Sequence, residues 1–567
     1  MKEIILKYVL KNALDFNGKA NSKVVLGQVL REKPELKKDV PKLLKEIENM
    51  VAEIAQLPLP EIKKQLKKIA PELLKEEKEE QVEGPLKPLP NAIKGKFVTR
   101  IAPSPSGPFH IGHAYGVSLN YEYAKMYKGK FILRIEDTNP ENIYPPAYEL
   151  LEDDANWLTN NGVAEVFVQS SRLGIYYDYA EKLVQMGKAY VCTCEAEKWT
   201  EQKNQAIPCP CRSINVKENI LRYAKMFNEY AEGEAVLRLK TDIKDKNPAM
   251  RDFAIMRIVE HVHPKTGKTQ RMWPLMLFSV AIDDHEMGIT HVLNGKDHAD
   301  NAKKEMLVMD CFGWKHPEYK HWGRINFEGF ELSTTQTRRA IEQNEYAGWD
   351  DIRLPFLPAL RKRGYQAEAF RKFAIEIGLS LNDKTVSIEE FWKMINAFNK
   401  DIIEPNADRY FFVDNPVEVS VIGAPKKEVE LDLHPNFPQK GKRKISVKGE
   451  VHIAESDFKR LGKGKIHRLM DYCNIKISNG KWKFVSEDYE DYKNAAENEK
   501  GFIIHWLPVT KLPAVEVVLE DNSTVSGWGE KDMLNLKEGD LVQLERRYYA
   551  RLDKKEKDKL RFYYLHQ

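Results

Sequence analysis

The first part of the chain carries apolar residues at helical spacing. Asp39 and Pro41 favour the start of a helix, and lysines occupy the face opposite the apolar positions that follow. Those apolar positions are Leu43, Leu44, Ile47, Met50, Val51 and Ile54. The pattern predicts a helical N-terminal extension over residues 1–75. The Lys/Glu-rich and then Gly/Pro-bearing stretch 76–95 predicts a linker.

Strand-like and helix-like patterns then alternate from residue 96 onward. A β-branched and aromatic stretch, Lys96–Ile101, predicts a strand; a helical pattern follows and ends at Gly129, and Phe131–Ile135 predicts the next strand. Such alternation indicates an α/β fold with a parallel, doubly wound sheet, which we expect over residues 96–340. A cysteine-containing insertion interrupts it at about 190–255.

The pattern of apolar and polar residues changes again after the insertion. The sheet pattern resumes over Met272–Leu293, and residues 341–410 have helical patterns. Beyond them, short strand-like runs alternate with turns at Val417–Ile422, Val429–Leu433, Ala514–Leu519 and Leu541–Leu544. Short strands with frequent turns predict an all-β region, a sandwich or a barrel, over residues 411–567.

Composition narrows the class of protein without identifying it. The 567 residues allow several domains, and the hydrophobic fraction of 42% is sufficient for ordinary cores. The net charge of +4 permits a nucleic-acid partner but does not require one. No run of 18 apolar residues is present, and charged residues interrupt the N-terminal apolar runs. With only six cysteines, these features predict a cytoplasmic protein without a disulfide framework.

One short run carries the most specific chemistry. It reads Arg100-Ile-Ala-Pro-Ser-Pro-Ser-Gly-Pro-Phe-His-Ile-Gly-His113 and forms a rigid turn between the predicted strand and the predicted helix. The turn brings His110 and His113 to a helix start, where free amides and the helix dipole attract anions. A single histidine there would usually be a cap or a solvated group. Two of them predict a site for a polyphosphate whose charge changes during a reaction.

This run resembles the HIGH signature of the class I aminoacyl-tRNA synthetases. Together with the run Phe131–Pro140 it is similar to the glutamyl-tRNA synthetase branch, and the similarity extends over residues 96–415. The resemblance implies a Rossmann-like catalytic domain in which His110, Gly112 and His113 contact ATP, with Mg²⁺ sharing the phosphate charge. The helical N-terminal extension resembles the archaeal form of the family, in which two β-barrels bind the anticodon.

A second motif places Glu136 directly after the strand Phe131–Ile135. Ligands of open α/β sheets lie beyond the carboxyl ends of the strands, so Glu136 and Arg100 are suited to hold the ammonium and the carboxylate of an acidic amino acid. Alternatively, the two side chains pair with each other or cap nearby turns. The resemblance favours the first interpretation: Arg100 recognises the glutamate carboxylate and Glu136 the α-amino group, with Ala102 and Ser104 beside them.

Two departures from the family pattern fall in the expected amino-acid pocket. The family often has Arg where this chain has Asn294, and Tyr-Asp-Phe where it has Met276–Phe278. We nevertheless assign Met276 and Asn294 to the pocket. Loss of the cation removes a charge-assisted hydrogen bond worth about 1.5–3 kcal/mol. Arg271 and Arg324 are candidates to replace it.

The cluster Asp283-Asp284-His285 could suggest a metal site. Its spacing fits no defined metal motif, so a structural or substrate-lining role is favoured. The nearby segment Gly295–His298 resembles a family segment beside the adenosine and amino-acid pockets. Together with Glu136, this segment favours the glutamate branch over the glutamine branch.

By position, Phe330–Arg339 matches the flexible class I loop usually written Lys-Met-Ser-Lys-Ser. Glu331 and Thr334 stand where the lysines are expected, and a polar surface loop would have a similar sequence. The resemblance implies that Leu332 and Ser333 contact ATP and that Ser333 also acts in catalysis. The cationic work of the missing lysines falls to Arg338 or Arg339, and we assign Arg338 to catalysis.

Four cysteines form two close pairs, Cys192-Thr-Cys194 and Cys209-Pro-Cys211, separated by fourteen residues. Four thiolates in two pairs suit tetrahedral Zn²⁺, and a reducing compartment favours a metal over disulfides. Such a zinc ion would be structural because no open ligand position is apparent.

Cations and aromatic residues in the β region suit a tRNA partner. The runs Lys440–Lys444 and Arg546–Tyr549 offer cations for phosphate and rings for unstacked bases, although a solvated charge run has the same composition. The segments Gly348–Pro355 and Arg361–Arg363 resemble the family segment that links catalysis to the tRNA stem.

The resemblance therefore implies a glutamate–tRNA ligase that uses ATP, glutamate and tRNA(Glu). It also implies a monomer that does not bind membranes. Whether tRNA(Gln) is also a substrate stays open. Two alternatives remain, a glutaminyl-tRNA synthetase and a non-catalytic tRNA-binding relative. Asn294, Met276 and the loop without lysines keep the second alternative open, while His110 and His113 argue against it.

Overall fold

The computed structural model of the chain describes residues 2–16, 18–70, 73, 84–323, 325–328, 332–462 and 464–567. Two units are distinguished by their internal contacts, one up to residue 83 and one from residue 84. The first part of the predicted linker, residues 76–83, lies outside the described residues. No helix within the described ranges is long and apolar enough to cross a membrane.

The first unit is helical, as predicted. Its α-helices are α1 (Lys2–Asp15), α2 (Ser22–Glu32), α3 (Val40–Ile54) and α4 (Leu59–Ile69). Asp39 caps α3, since its carboxylate accepts a hydrogen bond from the Lys42 backbone N–H at 3.4 Å. Leu43, Ile47 and Ile54 of the apolar stripe lie in the core of this unit.

The second unit begins with the first half of a doubly wound sheet. Its elements are β1 (Val98–Ile101), α5 (Ile111–Met126), β2 (Lys130–Ile135), α6 (Ala147–Thr159), β3 (Glu165–Val168) and α7 (Leu173–Gln185). The three strands pair in parallel, with Arg100 opposite Ile132. Gly129 allows the turn before β2, because a Cβ there would lie 2.1 Å from the Phe97 carbonyl oxygen.

An insertion with its own antiparallel sheet follows. Its elements are β4 (Ala189–Cys192), α8 (Ala196–Asn204), α9 (Val216–Met226), β5 (Val236–Leu239), β6 (Ala254–Ile258) and β7 (Met272–Pro274). The strands pair in the order β4-β5-β6-β7. The expectation that the parallel sheet resumes at Met272 is therefore wrong, because Met272 and Trp273 complete the antiparallel sheet and cover its core.

The parallel sheet resumes only at residue 291. The elements are α10 (Met276–Glu286), β8 (His291–Gly295), α11 (Ala299–Phe312) and β9 (Glu318–Trp322). β8 and β9 pair in parallel, and the Thr290 backbone N–H donates to the Val98 carbonyl at 3.0 Å, which sets β8 beside β1. The parallel sheet β1-β2-β3 and the parallel pair β8-β9, set side by side at β1 and β8, confirm the doubly wound α/β fold.

A mostly helical region leads to the β-rich end of the chain. Its elements are β10 (Ile325–Glu328), α12 (Thr334–Glu342), α13 (Leu357–Arg363), α14 (Ala367–Ile377), β11 (Lys384–Ser387) and α15 (Ile388–Ile403). The helical expectation for 341–410 misses β11, which pairs in parallel with β10 and so belongs to a sheet formed across the chain.

The C-terminal region contains two seven-stranded, barrel-like sheets, as predicted. Its strands are β12 (Asp408–Tyr410), β13 (Phe412–Asp414), β14 (Pro416–Ile422), β15 (Lys427–Asp432), β16 (Lys442–Val447), β17 (Glu450–Ala454), β18 (Ile466–Leu469), β19 (Cys473–Ser478), β20 (Lys481–Ser486), β21 (Lys500–Ile504), β22 (Leu507–Pro508), β23 (Ala514–Val518), β24 (Thr524–Gly529), β25 (Leu541–Leu544), β26 (Tyr548–Glu556) and β27 (Lys559–His566). Two short helices, α16 (Glu455–Arg460) and α17 (Tyr489–Lys493), lie between them.

The two sheets interleave along the chain. One has the order β12-β25-β26-β27-β23-β24-β13 and the other β21-β18-β19-β20-β14-β17-β22, while β15 and β16 form a hairpin. All four strand-like runs named from the sequence are strands, and their alternating apolar residues fill two separate cores. The alternating pattern therefore predicted correctly that this region is built of β-strands.

Candidate active site

The turn after β1 fixes two histidine rings through its own backbone. His110 caps α5: its Nδ1 accepts from the Gly112 backbone N–H at 3.1 Å, and His113 Nδ1 accepts from the His110 backbone N–H at 3.3 Å. The rings stack with their centroids 3.7 Å apart. Because each Nδ1 is an acceptor, the proton of each neutral ring is on Nε2, which is left to donate a hydrogen bond.

Both rings are neutral at ordinary pH. Burial, reinforced by the neighbouring His113, lowers the pKa of His110 to about 2, and burial lowers the pKa of His113 to about 4. The rings therefore offer an anion oriented N–H donors at a helix start, not positive charge.

A distant segment holds the turn in place. The Leu357 backbone N–H donates to the Phe109 carbonyl at 2.9 Å, and the Ile111 N–H donates to the Pro355 carbonyl at 3.1 Å. On the other side, the buried Asp154 carboxylate accepts from the Phe109 N–H at 2.9 Å. Sequence analysis missed these contacts because they join residues that are far apart in the chain.

A cavity of about 300 Å³ opens at the carboxyl ends of the parallel strands. It brings together most of the residues predicted for substrate and ATP: Arg100, Ala102, Ser104, Gly112, His113, Glu136, Met276 and Asn294. The ring of His110 lies behind that of His113. One end of the cavity therefore carries the imidazole pair and the other carries the charged groups.

The charged end is a buried network. Asp284 accepts from Arg100 Nε and Nη2 at 3.1 and 3.0 Å and from Arg134 Nη1 at 2.6 Å. Arg134 Nη2 in turn donates to Glu136 at 3.2 Å. Burial penalises the charge on Asp284, but the two guanidinium groups outweigh it and hold its pKa below the ordinary value. Arg100 and Glu136 are linked through partners and do not pair with each other.

The Asp283-Asp284-His285 cluster has a structural role. Asp283 accepts hydrogen bonds from Gln169, Arg172 and Tyr176 at 3.0, 2.8 and 2.6 Å. The ring of His285 stacks on that of Trp314, with the ring centroids 3.8 Å apart. Asp283 thus ties α10 to α7 and the turn before it, and Asp284 ties α10 to β1 and β2, in agreement with the interpretation favoured from the sequence.

The cation that the family pattern places at position 294 has no replacement among the described residues. Asn294 Oδ1 lies 2.6 Å from His321 Nδ1, and this pair occupies the position. The suggestion that Arg271 compensates is wrong, because its guanidinium binds Glu260 and the Tyr230 carbonyl outside the cavity. Arg324 lies outside the described residues.

The loop matched to Lys-Met-Ser-Lys-Ser lies against the histidine turn. Leu332 Cδ1 is 3.6 Å from where a Cβ on Gly112 would lie, and a Cβ on Gly107 would lie 2.5 Å from the Thr334 methyl carbon. Ser333 caps α12 by accepting from the Gln336 N–H at 3.3 Å. Arg338 lies 3.7 Å from Glu342. These loop residues approach the turn without lining the cavity; residues 329–331 lie outside the described part.

The four cysteines of the insertion form one cluster. All their Sγ atoms lie within 4.8 Å of one another, with Cys192 and Cys209 3.7 Å apart and Cys194 and Cys211 3.8 Å apart. A tetrahedral ion with Zn–S bonds of about 2.3 Å sets sulfurs about 3.8 Å apart. Hydrogen bonds from Cys209 and Arg238 lower the pKa of Cys192 to about 5, despite its burial. The donor set therefore fits zinc.

Sequence analysis missed one acidic group in the cavity. Glu305 of α11 lines the cavity and is buried, and the Tyr319 hydroxyl donates to its Oε2 at 3.1 Å. Burial, with nearby Asp284, raises the pKa of this carboxyl to about 7. Glu305 lies at a position on the apolar face of α11, which would ordinarily hold an aliphatic residue. A charged residue at such a position is the sequence signal that could have identified it.

The basic runs of the β region are largely engaged within the protein. Arg443 is buried against Glu530 at 2.9 Å. Lys442 and Lys444 are exposed and pair with Glu430 and Glu428 at 2.6 and 3.1 Å. Arg547 binds Asp414. A tRNA phosphate would have to compete with these carboxylates.

Three family models match consecutive parts of the chain. The model of the catalytic domain of class I tRNA synthetases (E and Q) matches residues 96–405. Two models of the anticodon-binding domain of the same class match residues 407–492 and 503–553.

Curated relatives match over the full length. The glutamate–tRNA ligase of Methanothermobacter thermautotrophicus is 42% identical over 100% of both chains, and that of Pyrococcus abyssi is 43% identical over 100% of both. A solved glutamate tRNA ligase from Elizabethkingia meningosepticum, in complex with its amino acid, has a TM-score of 0.39 and 20% identity over 55% of this chain and 70% of that one.

Proposed function

The chain belongs to the class I tRNA synthetases for glutamate and glutamine, and we propose that it is a glutamate–tRNA ligase. The observation that carries the proposal is one cavity that His113 lines together with Arg100 and Glu136, with the ring of His110 stacked on that of His113. In the reaction, the α-carboxylate of glutamate attacks the α-phosphorus of ATP and pyrophosphate leaves. The terminal ribose hydroxyl of tRNA then takes the glutamyl group and AMP is released.

The nucleotide end of the cavity stabilises phosphate oxygens. His110 and His113 donate from Nε2, Gly112 lines the cavity beside them, and the dipole of α5 adds to the attraction of phosphate oxygens. We assign Leu332 and Ser333 of the loop, which lie against the histidine turn, to ATP binding. Arg338 supplies a cation that the missing lysines would otherwise provide. Bound Mg²⁺ would neutralise part of the phosphate charge.

The opposite end holds glutamate. Asp284 engages Nε and Nη2 of Arg100, so Nη1 is the edge that faces the side-chain carboxylate of the substrate. Glu136 receives the α-ammonium group. Ala102, Ser104, Met276 and Asn294 form the walls, and the network around Asp284 keeps Arg100 in one orientation before substrate arrives.

A structural zinc ion completes the insertion. Cys192, Cys194, Cys209 and Cys211 would supply four thiolates and leave no position for substrate. The metal content of the purified protein tests this: we expect one zinc per chain in the native protein and loss of that zinc in Cys209→Ser. Native protein without zinc would contradict the assignment.

The remaining regions serve tRNA. We divide the chain into a helical extension (1–75), a linker (76–95), a catalytic domain (96–340), a helical stem-contact region (341–410) and an anticodon-binding β region (411–567). The matches to anticodon-binding models support the last of these. We propose a cytoplasmic monomer that charges tRNA(Glu), with tRNA(Gln) as the second tRNA to test.

Aminoacylation tests the function. Glutamate and glutamine are each supplied with ATP and with either tRNA, for the native chain and for His113→Ala. We expect glutamate to be attached to tRNA(Glu) and the variant to lose orders of magnitude in rate. Attachment of glutamine instead of glutamate would identify a glutaminyl enzyme. No attachment of either amino acid would identify a tRNA-binding relative without catalysis.

A further inference from the structure

A buried carboxyl group without a cationic partner faces the amino-acid end of the cavity. Glu305 is only 4% exposed and lines the same cavity as Arg100 and Glu136. Within the described ranges, its hydrogen-bond partner is the hydroxyl of Tyr319, at 3.1 Å from Oε2, and no lysine or arginine lies within ion-pair distance of it.

The surrounding charges cannot neutralise an ionised Glu305. The nearest guanidinium, that of Arg100, is already bound in two places by Asp284. Asp284 and Glu136 add negative charge nearby, while Asn294 and His321 fill the position opposite with uncharged groups. His113 and His298 are the further titratable groups that line the cavity. A substrate carboxylate would therefore enter a site with one partly satisfied cation and an excess of acids.

We propose that Glu305 is a specificity-determining residue of the amino-acid site, and that its protonated carboxyl donates a hydrogen bond to the side-chain carboxylate of glutamate. The inference rests on the proposed function and concerns the same cavity. In this role Glu305 supplies the hydrogen bond that the absent cation at position 294 does not.

The physical chemistry of the site favours this form. Burial, with Asp284, raises the pKa of Glu305 to about 7, so the carboxyl is substantially protonated near neutral pH. A second carboxylate entering the cavity disfavours ionisation further, so glutamate binding and protonation of Glu305 reinforce each other. Ionised Glu305 would repel glutamate and would accept instead from an amide, which favours glutamine.

The test is the pH dependence of the KM for glutamate, measured by aminoacylation of tRNA(Glu) with saturating ATP and tRNA. In the native chain we expect KM to rise about tenfold between pH 6 and pH 8 as Glu305 ionises. In Glu305→Gln the amide donates at every pH, so KM should stay nearly constant. Glu318→Gln, which changes a carboxyl outside this cavity near Tyr319, should follow the native profile.

A second variant moves the profile without touching Glu305. The Tyr319 hydroxyl lowers the pKa of Glu305 by donating to it, so Tyr319→Phe should shift the rise in KM to higher pH. A native KM that is flat across this range, or a Glu305→Gln profile that matches the native one, would overturn the inference. Those results differ from failure of the proposed function, in which the native chain would attach no glutamate at any pH. If Glu305→Gln does not fold, the pH profiles of the KM for glutamate in the native chain and in Tyr319→Phe still test the inference.

Discussion

The two ends of the cavity are stabilised in different ways. At the nucleotide end, two neutral rings are oriented by backbone amides of the same turn and leave their Nε2–H groups to the ligand. At the amino-acid end, Arg100, Arg134, Asp284 and Glu136 already satisfy one another before any substrate is present. The first end donates hydrogen bonds from a short local motif, and the second positions charges through a network that spans the fold.

The two ends should therefore respond differently to substitution. A local motif loses its function without losing the fold, because the hydrogen bonds that orient its two rings stay within a few residues. A buried network loses both, because removing one member leaves the others charged and unpaired. The substitutions below test this contrast.

The largest effect is expected for Asp284→Ala. It leaves Arg100 and Arg134 buried without their shared carboxylate, so the free energy of unfolding should fall by about 3–5 kcal/mol. Urea unfolding followed by tryptophan fluorescence measures the change. Asp310→Ala is the control, since Asp310 forms an exposed pair with His316 and should cost less than about 1 kcal/mol. Equal losses in both variants would show that the network is not what braces the amino-acid end.

His113→Ala should act on chemistry and not on the fold. Removing one oriented donor should lower the rate of ATP–pyrophosphate exchange, measured with tRNA present, by about 10²–10³. The KM for glutamate should change little because the charged end is untouched. His316→Ala, outside the cavity, serves as the control. A fall in rate below threefold in His113→Ala would contradict the role of the ring.

Ser333→Ala should have a small effect. The hydroxyl caps α12, so its loss should destabilise the loop helix by about 0.5–2 kcal/mol. We expect a rise of a few fold in the KM for ATP with the KM for glutamate unchanged. Thr335→Ala, two residues further on and the second residue of α12, is the matched control. A change in the KM for glutamate would show that the loop couples both ends of the cavity.

The smallest effect is expected from pH on the imidazole pair. Burial lowers the pKa of His110 to about 2 and of His113 to about 4, so neither ring takes up a proton between pH 8 and pH 5. Nitrogen NMR of the rings should record the neutral form with the proton on Nε2 throughout. A titration near pH 6.5 would contradict this.

Folding stability should nevertheless depend on pH through the same groups. The unfolded chain protonates these histidines near pH 6.5, whereas the folded chain does so only near pH 4 and below. The unfolded state therefore binds more protons in this window, and the contribution of both rings to stability is lost as the pH falls from 6.5 towards 4.

The same contrast explains what could be predicted from the sequence. The histidine turn, the Asp39 cap and the cysteine pairs depend on neighbours a few residues away, so their spacing was sufficient. The sequence could predict a structural role for Asp284 but not its pairing with Arg100, because the two residues lie 184 positions apart. Glu305 was missed for a similar reason: only the packing of α11 against the sheet brings its carboxyl into the cavity. The strand β11 was missed because its partner lies outside the helical region.

In the reaction we propose, one cavity holds the phosphates at the paired imidazoles and the glutamate side chain at Arg100. A crystal structure with a non-reactive sulfamoyl analogue of glutamyl-adenylate tests it most directly. We expect the sulfamoyl group within hydrogen-bond distance of a histidine Nε2 and the side-chain carboxylate within that distance of Arg100. An analogue bound outside the cavity, or one that contacts neither ring, would contradict the account.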